Sequence, residues 1–335
     1  MFQRQDVMRR VLYALTPMFL FATFLYGWRV PVTTALVFFL AIATEYLFER
    51  GRKKKVSEAV LVTSALYSLS LPPQTPLWIA AVGIVFAVAI GKGAFGGFGR
   101  NIFNPAVTGR LFIYITFPTV LATAWAVPAL IDVTSGLSGP FGTAGVSAVD
   151  AVSAATPLAL IRSGEIPDLW HLFFGFRAGS VGESSALLIL LAGIYLIVTK
   201  TANWKMIVST LLSALVFAVG FYFAGWIPGL DPSGYTGMRH LVPIAAYMMS
   251  GSILFVAVFM ATDPITAPNK PLSQFAYGFL IGGIAMTIRT FSGFPEGTSF
   301  GILIANTFAS LLDEIFPKAK KKAKPNVSQS KAASA

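Results

Sequence analysis

Ten apolar runs separated by short polar turns constrain this chain more than any other feature. They lie near residues 11–28, 32–48, 56–71, 77–91, 106–127, 185–199, 206–226, 241–261, 275–288 and 300–316. A helix that crosses the hydrocarbon core of a bilayer needs roughly 20 consecutive, mainly apolar residues. The runs therefore predict an all-α integral membrane protein of about ten transmembrane helices. Charged residues make up 12% of the chain and apolar ones 55%, with a mean hydropathy of +0.71; soluble domains carry about a quarter charged residues. The first run leads directly into the second without a small-residue cleavage site, so no cleavable signal peptide is expected.

The chain has no cysteine, which excludes a disulfide framework, a thiolate metal site and an iron–sulfur cluster ligated by this chain. Its two histidines, His171 and His240, fall outside or at the edge of the apolar runs, so a bis-histidine haem is not expected and any redox centre must be organic. A net charge of +11 (25 minus 14) raises the question of nucleic acid. Position answers it. With the N-terminus in the cytoplasm, 19 of the 25 basic residues collect in cytoplasmic segments, among them Arg50, Arg52, Lys53, Lys54, Lys55 and the lysines after Pro317. The positive-inside rule then puts both termini in the cytoplasm and the long loop from about 128 to 184 outside it. Nucleic acid drops out as a partner, and the basic tail 318–335 is expected to be disordered and to rest on anionic lipid headgroups.

The two halves echo one another. LVTSALYSLSLPPQTP, an apolar run, a glycine-rich turn and a run ending TFP are matched later by FVAVFMATDPITAP, an apolar run, SGFPEG and a run ending IFP. Pro76 corresponds to Pro268 and Pro118 to Pro317, offsets of 192 and 199. Five runs per half is an odd number, so the expected arrangement is an inverted repeat, 1–127 and 185–317, joined by the 128–184 loop. Short runs ending in proline-rich turns at matching places predict broken helices whose free ends bind something within the membrane.

Three stretches carry candidate chemistry. GKGAFGGFGRNIFNP (91–105) is not a phosphate-binding loop, since no Ser or Thr follows the lysine and no strand precedes it. Its glycines either allow close helix packing or let a planar ligand approach bare backbone at Gly96 and Gly97, with Asn101 and Asn104 as amide donors. In TDPITAPNKP (262–271), Asp263 or Thr262 is expected to cap a helix, and the repeat pairs this turn with LPPQTP. The third stretch is DAVSAATPL (150–158), where Thr156 and Pro157 suit the N-cap and first position of a short helix through about Arg162. Ser153, Ala154 and Ala155 leave the Thr156 hydroxyl sterically open. Glu45, Glu49, Asp313 and Glu314 lie at run ends, so no continuous carboxylate wire for ions is expected within this chain.

Asp150, Ser153, Ala155 and Thr156 match an Asp-x-x-Ser-x-Ala-Thr flavinylation motif. With LPPQTPLW, FGGFGRNIFNPAVTGR, ATDPITA, GFPEG and ILIAN, the chain resembles a family over nearly its whole length. That family comprises the NqrB subunit of sodium-translocating NADH:quinone oxidoreductase and the RnfD subunit of the Rnf ferredoxin:NAD oxidoreductase. One departure is Ala154, where glycine is common. The resemblance implies FMN joined to Thr156 through a phosphoester, installed by a Mg-dependent flavin transferase outside the cytoplasm. It implies as well a non-covalent riboflavin toward the cytoplasm, which Gly96, Gly97, Asn101, Asn104 and Asp263 are expected to border, as a second flavin or acceptor site. No metal ligands are expected. Electrons would come from an FMN-bearing extracytoplasmic subunit, then leave toward a cytoplasmic NAD, ferredoxin or quinone-reacting side, in a prokaryotic inner membrane.

Between the two complexes, the early start of the first run favours Rnf, and the wording of the glycine turn and of ATDP leans toward the quinone reductase. Rnf is preferred. The competing class is a small-solute channel or transporter, which an inverted five-helix repeat with few buried charges also suits; a bound flavin separates the two.

Overall fold

The computed structural model describes residues 2–126, 128, 155–292 and 297–316. Among them the chain is almost entirely helical. A two-residue parallel strand pair, β1 (Phe2–Gln3) and β2 (Val56–Ser57), ties the N-terminal segment to the turn before α3. Helices occupy each of the ten apolar runs, but their lengths differ. By length and apolar composition four of them can cross a bilayer alone: α1 (Asp6–Tyr26), α2 (Arg29–Gly51), α10 (Trp204–Phe223) and α13 (Pro271–Phe291). A fifth span arises if the pair bent by 66° at 250–252 counts as one, with α11 (Leu241–Met249) on one side and α12 (Ile253–Phe255) on the other.

The remaining helices are shorter: α3 (Ala59–Ser70), α4 (Leu77–Val88), α5 (Pro105–Thr116), α6 (Pro118–Ala122), α7 (Pro157–Arg162), α8 (Leu169–Phe174), α9 (Ala186–Val198) and α14 (Gly297–Ile315). At 1.5 Å per residue the 12 residues of α3 reach only about 18 Å, less than the roughly 30 Å of hydrocarbon. Two helices end in single π turns: α4 continues through Ala89–Gly93 and α12 through Val256–Met260. Each is closed by a bond from an amide to the carbonyl five residues back, Ala94 N to Ala89 O and Ala261 N to Val256 O, both 2.8 Å.

Small residues set the closest helix contact. Gly278 and Gly282 of α13 lie against the backbone of α10 at Met206 and Thr210, and the hydroxyls of Ser209 and Ser213 donate to the carbonyls of Phe275 and Phe279. Without side chains at the glycines the two backbones approach as membrane helices commonly do. One core cluster unites α1–α5, α9, α13 and α14; a second joins α7, α8, α10 and α11 through Leu158, Ile161, Tyr222 and Tyr247. Leu20, Phe39, Leu47 and Leu212 on the long helices, and Val198 on α9, remain exposed on outer faces. So many large apolar side chains facing outward fit lipid rather than water.

Candidate functional site

Thr156 stands where its sequence predicts. Its backbone is extended, Pro157 opens α7, and its Oγ1 accepts from Ala159 N at 3.3 Å. The side chain is half-buried and Ala155 beside it is exposed, so the hydroxyl can be reached. Asp150 and Ser153 lie outside the described residues. α7 is held by Arg162, whose Nη2 donates to the carbonyls of Arg289 and Ser292 at 2.9 Å each.

A second region forms where α1, α3, the π turn of α4, the 98–105 turn and the 262–265 turn meet. It holds a partly open recess with a cavity volume of about 60 Å³. Its walls are apolar at Met8, Leu66, Phe98 and Phe259 and polar at Lys92, Asn101, Asn104 and Asp263. Asn104 reaches it as the N-cap of α5: Oδ1 accepts from Ala106 N at 3.0 Å and Val107 N at 3.4 Å, ahead of Pro105 at the first helical position. Its backbone amide donates to Asn306 Oδ1 at 3.2 Å, and Asn306 in turn donates to the Tyr277 hydroxyl. Asn101 donates to Phe103 O at 3.2 Å.

Asp263 does not cap a helix. Its Oδ1 accepts from Ile265 N at 3.1 Å in a local turn, Thr262 bonds back to Val258 O, and the next helix starts only at Pro271, behind Lys270. Two prolines, Pro264 and Pro268, keep the intervening chain from helix. The structure thus brings Asn101, Asn104 and Asp263 to one recess. Gly96 and Gly97 are not among its walls. Both have positive φ, +109° and +90°, and a Cβ on Gly97 would overlap Glu49 Oε1, so this turn is bare because α2 packs onto it.

Sequence reasoning missed two buried charged groups. Lys92, 3% exposed, donates from Nζ to Glu45 Oε2 at 2.6 Å and to Ser57 Oγ at 2.7 Å. Glu45 Oε1 also accepts from the Ser57 amide and hydroxyl at 3.0 and 2.6 Å. The other group sits where residues 177–185, inside the expected extracytoplasmic loop, turn back into the core. Val181 N donates to Leu71 O, Glu183 Oε1 accepts from Arg110 at 3.3 Å, and Arg177 donates to the carbonyls of Met249 and Glu183 at 2.5 Å each. Arg289 Nη1 joins them by donating to Tyr247 O. One signal was legible: Arg177 and Glu183 flank a stretch of small residues, AGSVG, too poor in polar side chains for a solvated loop.

The profile of the NQR2, RnfD, RnfE family matches residues 2–322. The NqrB subunit of the Na(+)-translocating NADH-quinone reductase of Pseudoalteromonas atlantica is 36% identical over 301 residues, covering 87% of this chain and 68% of that protein. The corresponding subunit of Azotobacter vinelandii is 34% identical over 293 residues, 85% and 66% of the two chains. The RnfD-type subunit of the ion-translocating oxidoreductase complex of Halorhodospira halophila is 32% identical over 328 residues, 92% and 88%. The chain spans about two thirds of the length of the quinone reductase subunits it matches. Helical throughout its described core, apolar on its outer faces and matched over nearly all of its length, this chain belongs to the NQR2, RnfD, RnfE family of membrane subunits of ion-translocating oxidoreductases.

Proposed function

We propose that this chain is an electron-transfer subunit of a redox-driven ion-translocating complex, with FMN esterified to Thr156 and a non-covalent flavin, riboflavin by resemblance, in the recess of Asn101, Asn104 and Asp263. The observation that carries the reading is Thr156: the last residue of the flavinylation motif, its hydroxyl half-buried beside exposed Ala155. The lining suits a flat ring with polar edges in its chemistry, since it combines apolar Met8, Leu66 and Phe259 with the side-chain amides of Asn101 and Asn104. Flavins supply the reversible uptake of electrons, and the protein supplies their position and electrostatics.

In this reading the ten helical runs form two inverted five-helix repeats, both termini face the cytoplasm of a prokaryotic cell, and Thr156 faces outside. A flavin transferase loads Thr156, electrons arrive from an extracytoplasmic FMN-bearing partner, and a cytoplasmic NAD, ferredoxin or quinone-reacting partner lies at the other end of the path. Rnf ferredoxin:NAD oxidoreductase is the complex we favour. The NqrB position in the NADH:quinone reductase is the second reading, supported by 36% identity to such a protein.

The test is ultraviolet fluorescence of the denatured protein on a gel, from a host with the flavin transferase, followed by peptide mass mapping. A flavin peptide containing Thr156, absent from Thr156→Ala, is the expected result. A dark band under those conditions overturns it and favours a solute channel or transporter.

A further inference from the structure

The recess at Asn101, Asn104 and Asp263 has a neighbour. A second opening, of about 410 Å³, is lined by Gln3, Glu45, Glu49, Lys54, Lys55, Ser57 and Phe98. Phe98 is common to both linings, and its ring lies 5.6 Å from Lys92 Nζ. Lys92 lines the first recess, while both of its hydrogen-bond partners, Glu45 and Ser57, line the second. The ammonium therefore stands between two compartments. Lys92 lies buried within the π turn Ala89–Gly93; single π turns of this kind recur at functional sites. The other π turn, Val256–Met260, ends at the same recess through Phe259, Thr262 and Asp263.

From this geometry we infer that Glu45, Ser57 and Lys92 form a proton relay from the outer opening to whatever is reduced in the inner recess. The inference rests on the electron-transfer reading. A flavin or other electron acceptor in a low-dielectric recess gains a negative charge with each electron, at a high electrostatic cost. Transfer of one proton from Lys92 cancels it. The N–H bond at Nζ would break with its electron pair left on nitrogen, and the proton would bond to an acceptor that, on the electron-transfer reading, takes an electron in the recess. A proton from water in the outer opening then protonates Glu45 and passes across the 2.6 Å contact to restore the ammonium. One electron and one proton thus enter the recess together.

The charged groups around the relay are consistent with it. From α2 come Glu45 and Glu49, the latter held by Arg52 at 3.3 Å; Arg52 also donates to Gly93 O at 2.7 Å. Lys54 and Lys55 face the outer opening, and Asp263 faces Lys92 from the inner recess. A bridge that only holds α2 to the π turn needs a fixed positive charge at residue 92. A relay needs a group that can give its proton up.

Lys92→Arg separates the two, because arginine keeps the charge and does not deprotonate. The measurement is proton uptake by the purified whole complex on rapid reduction, followed with a pH-indicator dye in stopped flow, alongside flavin content. Lys92→Arg and Lys92→Met are expected to slow uptake by about 100-fold, the lower range for proton transfer by a positioned group. Glu45→Gln, which removes the group that takes up the outer proton, is expected to slow it as much, and Ser57→Ala less, with covalent flavin on Thr156 unchanged in all four. Wild-type uptake in Lys92→Arg overturns the relay and leaves a structural ion pair. If Lys92→Met does not assemble, Lys92→Arg and Ser57→Ala still decide. Absence of a covalent flavin peptide containing Thr156 in the wild type overturns the electron-transfer reading instead.

Discussion

Single residues divide into those whose role is local and those whose role depends on distant partners. Thr156 is of the first kind. Asparagine caps helices as well as threonine does but cannot form a phosphoester, so Thr156→Asn is expected to keep α7 and the assembled complex while losing all gel fluorescence. Loss of assembly in that variant, read by size exclusion, would mean that attachment and cap cannot be separated. Glu183 is of the second kind, buried against Arg110 at 3.3 Å. Removing one partner of a buried pair costs about 3–5 kcal/mol, so Glu183→Gln should lower the thermal midpoint of the detergent-solubilised protein markedly. An unchanged midpoint would show that Arg110 is fully compensated by its other contacts. Thr156 and its cap were legible in sequence because capping spans three residues. The pairing of Glu183 with Arg110 was not, because it joins positions 73 apart.

At the scale of elements, the seam between α10 and α13 is the place most sensitive to volume. A Cβ at Gly282 would overlap Thr210 O, and one at Gly278 would sit 2.8 Å from Met206 O. Overpacking of this kind costs about 1–3 kcal/mol per site. Gly282→Ala should therefore lower the temperature of aggregation in detergent, and the Gly278→Ala, Gly282→Ala pair more so. Gly220 on α10 has nothing within 4 Å of its Cβ position, and Gly220→Ala should be neutral or slightly stabilising. Equal effects at positions 220 and 282 would contradict the seam. Elsewhere along the helices, expected boundaries and observed ones agree within a few residues because hydrophobic runs and prolines act locally. The two π turns had no sequence signal, since the extra residue is accommodated by packing around the recess.

For the whole molecule, orientation is the property most open to direct measurement. The chain contains no cysteine, so one introduced thiol reports its side of the membrane without background. Ser163→Cys, just after α7, should react with an impermeant maleimide added outside intact cells, and Ser334→Cys in the basic tail should react only after lysis. Labelling of both from one side would overturn the topology and with it the outward position of Thr156.

Membrane character, the positions of the helical runs, the break after α3, the Thr156 cap and the family resemblance all follow from the sequence by itself, because each depends on apolar length, on prolines or on motifs of a few neighbouring residues. Tertiary structure alone decided the rest. It showed that Asn101, Asn104 and Asp263 share one recess while Gly96 and Gly97 stay outside it, Gly97 packed against Glu49. It also showed that residues 177–185 return to the core, and that Lys92 meets Glu45 across 47 positions. The physical reason is burial: a charged side chain stays out of water only where distant segments bring it partners, and which segments those are is settled by how the helices pack.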